Sequence, residues 1–267
     1  MPNFVKNKIL VGRSEYGRRL IDKYCTYDHE SGRMEFDFNK VIKMPEDLQI
    51  EFSSRSDHAL CLYLTKINPE VDYYGSKEDK MDRSSYGKLI KELSKKTIAN
   101  HDFTLGNEEV KEVFNRYKEK DSEKKLLELG RKQIENFENY DAINWYEWAI
   151  NNWGTKWNAS DFEASDDNKS ITFDTAWDPS VEIMMEISKQ NPEIRFGYLY
   201  SDEAIGSHVG YMLLQAGRVD FKGEFDDYSY DAYKLAFDLW GCQDDYQYDE
   251  KMNTFVLKED YSSMEME

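Results

Sequence analysis

Between Phe4 and Val11 the chain reads Phe-Val-Lys-Asn-Lys-Ile-Leu-Val and then meets Gly12, an apolar run of strand length with a breaker behind it. Ser14 caps a predicted helix that reaches about Cys25, with Leu20, Ile21 and Tyr24 at helical spacing. After a polar turn from Tyr27 to Gly32, Met34, Phe36 and Phe38 alternate with Glu35 and Asp37, the period of a half-buried strand, until Pro45 breaks the run. From residue 77 to 139 the pattern changes. Tyr86, Leu89, Ile90 and Leu93 form one narrow helical stripe; Val110, Val113, Phe114 and Tyr117 form a second; Leu126, Leu127, Ile134 and Phe137 form a third. Lys and Glu surround each stripe, as expected of surface helices packed by one face.

Asn139 or Asp141 can cap a further helix carrying Ile143, Trp145, Tyr146, Trp148, Ala149, Ile150 and Trp153, apolar nearly all round and stopped by Gly154. Two strands follow, around 157–164 and 170–177, joined by a polar turn at Asp166-Asp167-Asn168-Lys169. Pro179 opens a helix with Val181, Met184, Met185 and Ile187 facing in, and Pro192 lies beyond its end. Phe196, Tyr198 and Tyr200 alternate as a strand, a turn surrounds Gly206, and 209–219 gives another strand. The last helix carries Tyr230, Tyr233, Phe237 and Trp240 and stops at Gly241, with a short strand at Met252–Leu257 after it.

Too few helices alternate with strands for a doubly wound parallel sheet. The expected fold class is α+β: a ferredoxin-like antiparallel sheet with helices on one face and an inserted helical lobe. The first strand is expected to pair into the C-terminal sheet. The expected parts are 1–76, a strand-helix-strand portion of the α/β domain; 77–139, a helical insertion; 140–260, a ferredoxin-like C-terminal domain; and 261–267, a frayed acidic tail.

The 267 residues suffice for a hydrophobic core, and 40% hydrophobic with 15% aromatic content excludes a disordered chain. The net charge of −18 excludes a nucleic-acid-coating protein and disfavours attachment to anionic lipid. That charge is uneven. Residues 1–134 hold 26 Lys+Arg against 24 Asp+Glu, whereas residues 135–267 hold 9 against 29 and also carry 25 of the 39 aromatics. Acid interleaved with Tyr and Trp predicts a dedicated interaction surface more than a plain solubility coat. No apolar run approaches a membrane span, and Cys25, Cys61 and Cys242 read as reduced thiols of a cytoplasmic protein.

Several words are specific together. Met1-Pro2-Asn3-Phe4-Val5-Lys6-Asn7 and Phe36-Asp37-Phe38-Asn39-Lys40-Val41-Ile42-Lys43-Met44-Pro45-Glu46 resemble the opening of the YubB-type ferredoxin-like family. Trp145-Tyr146-Glu147-Trp148, the segment from Asn152 to Ala159, and Thr175-Ala176-Trp177-Asp178-Pro179 resemble its central part, in the same order, to about residue 215. The resemblance implies a ferredoxin-like C-terminal domain in a phage- or plasmid-borne protein and transfers no catalytic residue. The Tyr- and Asp-rich stretch after residue 220 is less clearly part of the shared pattern. Trp153, Trp157 and Trp177 are expected to fill the space between sheet and helices; the alternative is a stacking platform for a base beside Lys156.

No phosphate loop, dinucleotide fingerprint or nucleophile elbow is present. His29, His58, His101 and His208 lack zinc-ligand spacing, and the acidic clusters lack the calcium-loop pattern. No catalytic residue, metal or cofactor is therefore expected. The expected partner-binding residues are Asp220, Glu224, Asp226, Asp227, Tyr228, Tyr230, Asp244, Asp245, Tyr246, Tyr248, Asp249 and Glu250. They predict a non-enzymatic inhibitor that presents carboxylates to the basic surface of a host protein, a nucleic-acid-binding defence component, as a mimic of nucleic acid. The alternative is a small-ligand or nucleotide binder or enzyme with a pocket between sheet and insertion, using His208 beside Asp202.

Overall fold

A computed structural model describes residues 3–29, 32–53, 55–57, 59–60, 63 and 123–258. The chain divides into two compact units, Met1–Met44 with Ala149–Glu267, and Pro45–Trp148.

The first unit is built on a six-stranded antiparallel sheet. Strand β1 (Phe4–Val11) lies at its centre, paired with β5 (Ser170–Ala176) on one side and β6 (Phe196–Asp202) on the other. β4 (Ser160–Ala164) lies outside β5; β7 (Gly210–Gln215) and β8 (Arg218–Glu224) extend the sheet beyond β6. The order β4-β5-β1-β6 is that of a ferredoxin-like unit, in which two split β-α-β crossovers interleave. Helix α1 (Ser14–Tyr24) follows β1, and a helix at Val181–Gln190 joins β5 to β6. The N-terminal strand thus pairs into the C-terminal sheet, as expected.

Register assigns the faces. Val5 lies opposite Thr175, Asn7 opposite Phe173 and Tyr200, and Ile9 opposite Ile171 and Tyr198. These residues share one face, the dry core. Tyr24 of α1, Phe36 and Phe38 close over Phe173, with the Phe36 and Phe38 ring centroids 4.9 and 5.9 Å from it. Asn7 is fully buried there and fully engaged: its amide donates to Val5 O and Thr175 Oγ1, both at 2.8 Å, and its oxygen accepts from Tyr198 OH. Burial raises the Tyr198 hydroxyl pKa, so it donates as a neutral phenol. The buried Cys25 thiol is likewise pushed up to about 12 by desolvation, which makes it a packing group and not a nucleophile.

Several boundaries differ from expectation. Phe38 leaves the strand: β3 (Arg33–Phe36), paired with β2 (Cys25–Asp28), gives way to a 3-10 turn at Phe38–Lys40 whose Asp37 carboxylate accepts from Asn39 N. The expected single strand over 209–219 is the hairpin of β7 and β8. Its two-residue turn, Ala216-Gly217, has φ of 50° and 72°, and an alanine there hides the usual turn signature. The Val181–Gln190 helix has Ser180 as its N-cap, so Pro179 lies before the helix rather than in its first turn; the helix buries Ile183, Met184 and Ile187 while Met185 stays half-buried.

Taking the helices in order, α2 is Glu123–Tyr140, α3 Trp145–Trp153, α4 Val181–Gln190 and α5 Tyr230–Trp240. Helix α3 is not apolar all round in practice: Ile150 is 40% exposed, and only Trp148, Ala149 and Trp153 are buried. In the second unit, α2 buries Leu126, Ile134 and Phe137, the third expected stripe, and Asn136 donates to Asp47 O at 2.8 Å. The first two stripes, most of the expected 77–139 insertion and the acidic tail lie outside the described residues.

Helices α1 and α4 share the Asn7 face, the one-sided arrangement of the ferredoxin-like unit. Helix α5 is an addition on the opposite face, where Lys8 reaches its Asp238 at 3.3 Å and Lys6 sits 4.9 Å from the Trp240 ring centroid.

Candidate functional site

Helix α5 carries the acidic region. Ser229 Oγ accepts from Ala232 N at its start, and Gly241 ends it in the left-handed conformation, φ 68°. One stripe of α5 holds Tyr233, Ala236 and Phe237, all buried. Against it lies a hairpin of β9 (Tyr246–Asp249) and β10 (Thr254–Leu257). Sequence reasoning missed β9, because Tyr-Gln-Tyr-Asp is too short and polar to read as a strand. Phe255 joins the two elements, 5.3 Å from Tyr233 and 5.1 Å from Phe237, and Tyr246 sits 5.1 Å from Phe237.

This packing sorts the expected partner-binding residues. Tyr246 is half-buried in the aromatic cluster and is a structural anchor. Asp249 Oδ1 accepts from Lys251 N at 2.7 Å and Met252 N at 3.0 Å, closing the hairpin turn. Asp220 and Glu224 lie on β8: the first pairs with Arg195 at 3.2 Å, and the second with Lys222 at 2.5 Å. The Lys222 hydrogen bond holds the Glu224 carboxyl below its usual range. The other eight are exposed. Asp226, Asp227 and Tyr228 form the loop before α5, Tyr230 begins the helix, and Asp244, Asp245, Tyr248 and Glu250 flank or belong to the hairpin.

The loop is ordered by its backbone. Asp227 Oδ1 accepts from His208 N at 2.8 Å, and Tyr228, at φ 61°, donates its N–H to Gly206 O at 2.7 Å. Thr254 Oγ1 reaches Tyr228 O at 3.4 Å, tying hairpin to loop. Tyr228 and Tyr230 remain 53% exposed and Tyr248 40% exposed. Tyr230 and Tyr248 meet edge to face at 5.8 Å, so two of the exposed rings are held in fixed relation. Asp231 and Met252 add an acid and an exposed apolar side chain that sequence reasoning left out of the set.

The residues named for the enzymatic alternative are engaged locally. Asp202 is buried and its Oδ1 accepts from Ala204 N at 2.7 Å, while the His208 ring packs edge-on to Tyr200 at 5.6 Å. Among the described residues, no group of three or more His, Cys, Asp or Glu is placed to hold a metal ion. Among them too, no helix is long and apolar enough to cross a membrane.

The tryptophans correct the core expectation in part. Trp153 is buried and donates Nε1–H to Ile42 O at 2.9 Å. Trp157 is only half-buried, and Trp177 is 41% exposed. Lys156 Nζ lies 4.5 and 4.7 Å from their ring centroids, between the two indoles.

Strand order and face assignment define the class as ferredoxin-like, and the family-model match agrees. Residues 152–254 match the family model described as the ferredoxin-like domain in Api92-like protein. That match takes in the Tyr- and Asp-rich stretch through β9, which the sequence words had not clearly included. The crystal structure of a protein api92 from Yersinia pseudotuberculosis is 12% identical over 85% of this chain and 99% of that one, with a TM-score of 0.35. No curated protein matches.

Proposed function

We propose that this is a non-enzymatic interaction protein of a phage or plasmid, in keeping with the YubB-type words of its sequence, and that it inhibits a host protein with a basic surface. The observation that supports this reading is the grouping of exposed Tyr228, Tyr230 and Tyr248 with Asp226, Asp227, Asp231 and Glu250 on the loop before α5, on α5 and on its hairpin. Rigid aromatic side chains among carboxylates are what a protein interface needs: the rings anchor, and the charges steer and select. The complementary partner is a nucleic-acid-binding defence component, whose basic groove the carboxylates occupy in place of phosphates.

The test is a capture experiment with the full chain and a host extract, followed by reconstitution with the purified partner. The expected result is one basic protein, released by raising the salt and displaced by nucleic acid. It is lost when Asp226, Asp227, Asp244 and Asp245 are all changed to Asn. Binding that ignores both salt and this quadruple change overturns the acidic-surface reading.

A further inference from the structure

The two ends of the six-stranded sheet are finished differently. At one end β4 is packed against β3. At the other, β8 is the last strand, and six of its seven residues are exposed. Among the described residues no strand pairs with its outer edge. Such an edge is a template for another strand.

The sequence of β8 is Arg218-Val219-Asp220-Phe221-Lys222-Gly223-Glu224. The signs alternate symmetrically about Phe221. Laid antiparallel on a second copy with a two-fold axis through Phe221, each Asp220 comes opposite a Lys222, whereas Arg218 is turned to the other side of the sheet from Glu224 by the register shift between Leu213 and Leu214. Phe221 faces its own copy. The central charges thus meet their opposites twice about the axis, so the middle of the strand is its own electrostatic complement. Phe221 also ends a row of register partners across the open sheet face: Leu10 beside Gly197, Gly197 beside Leu213, and Leu213 beside Phe221. Leu10 and Phe221 are 39% and 53% exposed. Pairing about the axis carries that row into the second copy and joins two sheets into one.

The register with β7 shifts between Leu213 and Leu214, which leaves Asp220 as a bulge residue. Bulges and edge charges normally keep foreign strands away. Here the charges repel strands of the wrong pattern and admit the chain's own. The existing Asp220–Arg195 and Lys222–Glu224 pairs are solvent-exposed and weak, and they exchange readily for partners across the axis.

We infer that β8 is a self-association edge that joins two copies of this chain antiparallel about Phe221. Seven residues a side fall short of the ~1,000 Å² of a lasting interface, so the dimer is weak and reversible. It uses Asp220 and Lys222 on β8, not the loop and hairpin acids, and stands or falls separately from the proposed inhibitory role.

Sedimentation of the full chain over a concentration series tests it. The expected result is a monomer–dimer equilibrium. Asp220→Lys and Lys222→Glu each set like charges opposite one another twice per dimer, and each should weaken association by about tenfold. Combining the two restores opposite signs and should recover most of the loss, with circular dichroism confirming that each variant is folded. In a second measurement, Phe221→Cys places two thiols on the axis and should cross-link on mild oxidation, where the wild-type chain does not. A monomer at every concentration, a dimer indifferent to the single changes, or a double variant as impaired as the singles overturns the inference. So does failure of the cysteine variant to cross-link while dimers form.

Discussion

Alternate residues of β1 show two unlike faces of one sheet. Val5, Asn7, Ile9 and Val11 lie beneath α1 and α4, where Phe38 and Phe173 are completely shielded and the buried Asn7 amide is satisfied by Val5 O and the Thr175 and Tyr198 hydroxyls. Lys6, Lys8 and Leu10 face the other way. There, α5 meets the sheet through an Asp238–Lys8 pair and the Trp240 ring near Lys6, and Leu10 is left 39% exposed. The first face is closed by apolar packing around one satisfied neutral network; the second is joined through charge and aromatic edges. The acids and tyrosines of the candidate site hang from the helix on the second face. Changes to the Asn7 face should therefore cost the fold, and changes to the α5 face should alter charge-dependent behaviour first.

The largest expected effect tests the closed face. Phe173→Ala removes a ring in contact with Phe36 and Phe38 and leaves a cavity beneath α1, at a cost of about 3–5 kcal/mol in urea unfolding. A cost under ~1 kcal/mol would mean that this face is no better packed than the other.

The next effect tests the α5 face through pH. Asp174 is buried beside Lys6, with Nζ 2.6 Å from Oδ1 in an ion pair rather than an aligned hydrogen bond. Burial raises its carboxyl pKa, and the Lys6 ammonium pulls it part of the way back. A carboxyl raised on folding is a liability while ionised. That penalty lifts as pH falls through the raised folded value, and is gone below the unfolded value of about 3.9. Lys6→Met strips away the counter-charge and should cost about 2 kcal/mol at neutral pH, less than a fully buried pair because Lys6 keeps some contact with water. The cost should shrink steadily as the solution is made acid and Asp174 takes up its proton. An equal loss at acid and neutral pH would show that Lys6 acts by packing and not by charge.

The sequence made the ferredoxin-like unit legible because its elements announce themselves in local terms. β1 ends at a glycine, α1 has a one-sided stripe, and β5 and β6 alternate. The dry face followed from that alternation. What stayed hidden depended on partners far along the chain. Tyr246 and Tyr248 look alike in sequence, yet Phe237 and Tyr233 draw the first into the cluster, while the second packs on Phe255 and Tyr230 at the rim and stays exposed. Asp249 and Asp226 look alike too, but Asp249 is consumed by its own turn. The acidic region was visible as composition. Which acids remain available is a tertiary fact.

Trp177 gives the smallest effect and separates alternation from backbone conformation. It follows Ile171, Phe173 and Thr175 at two-residue spacing, so strand periodicity assigns it to the closed face. Instead its φ is 69°, a conformation that a bulky L-residue adopts only under constraint. The constraint is on view: Trp177 N donates to Asn3 O at 2.8 Å, Asp178 N to Ala176 O at 2.9 Å, and Thr175 Oγ1 to Asp178 O at 2.8 Å. These bonds end β5 and swing the indole out beside Lys156. Trp177→Ala and Trp177→Gly lose the same ring and the same cation–π contact, so their difference reports the backbone alone. In an ordinary strand Ala is the more stable; at this φ the order should invert, with the Gly variant ahead by about 1 kcal/mol in thermal or urea unfolding. If Ala is ahead, Trp177 occupies extended backbone, and its side chain belongs with Phe173 on the closed face.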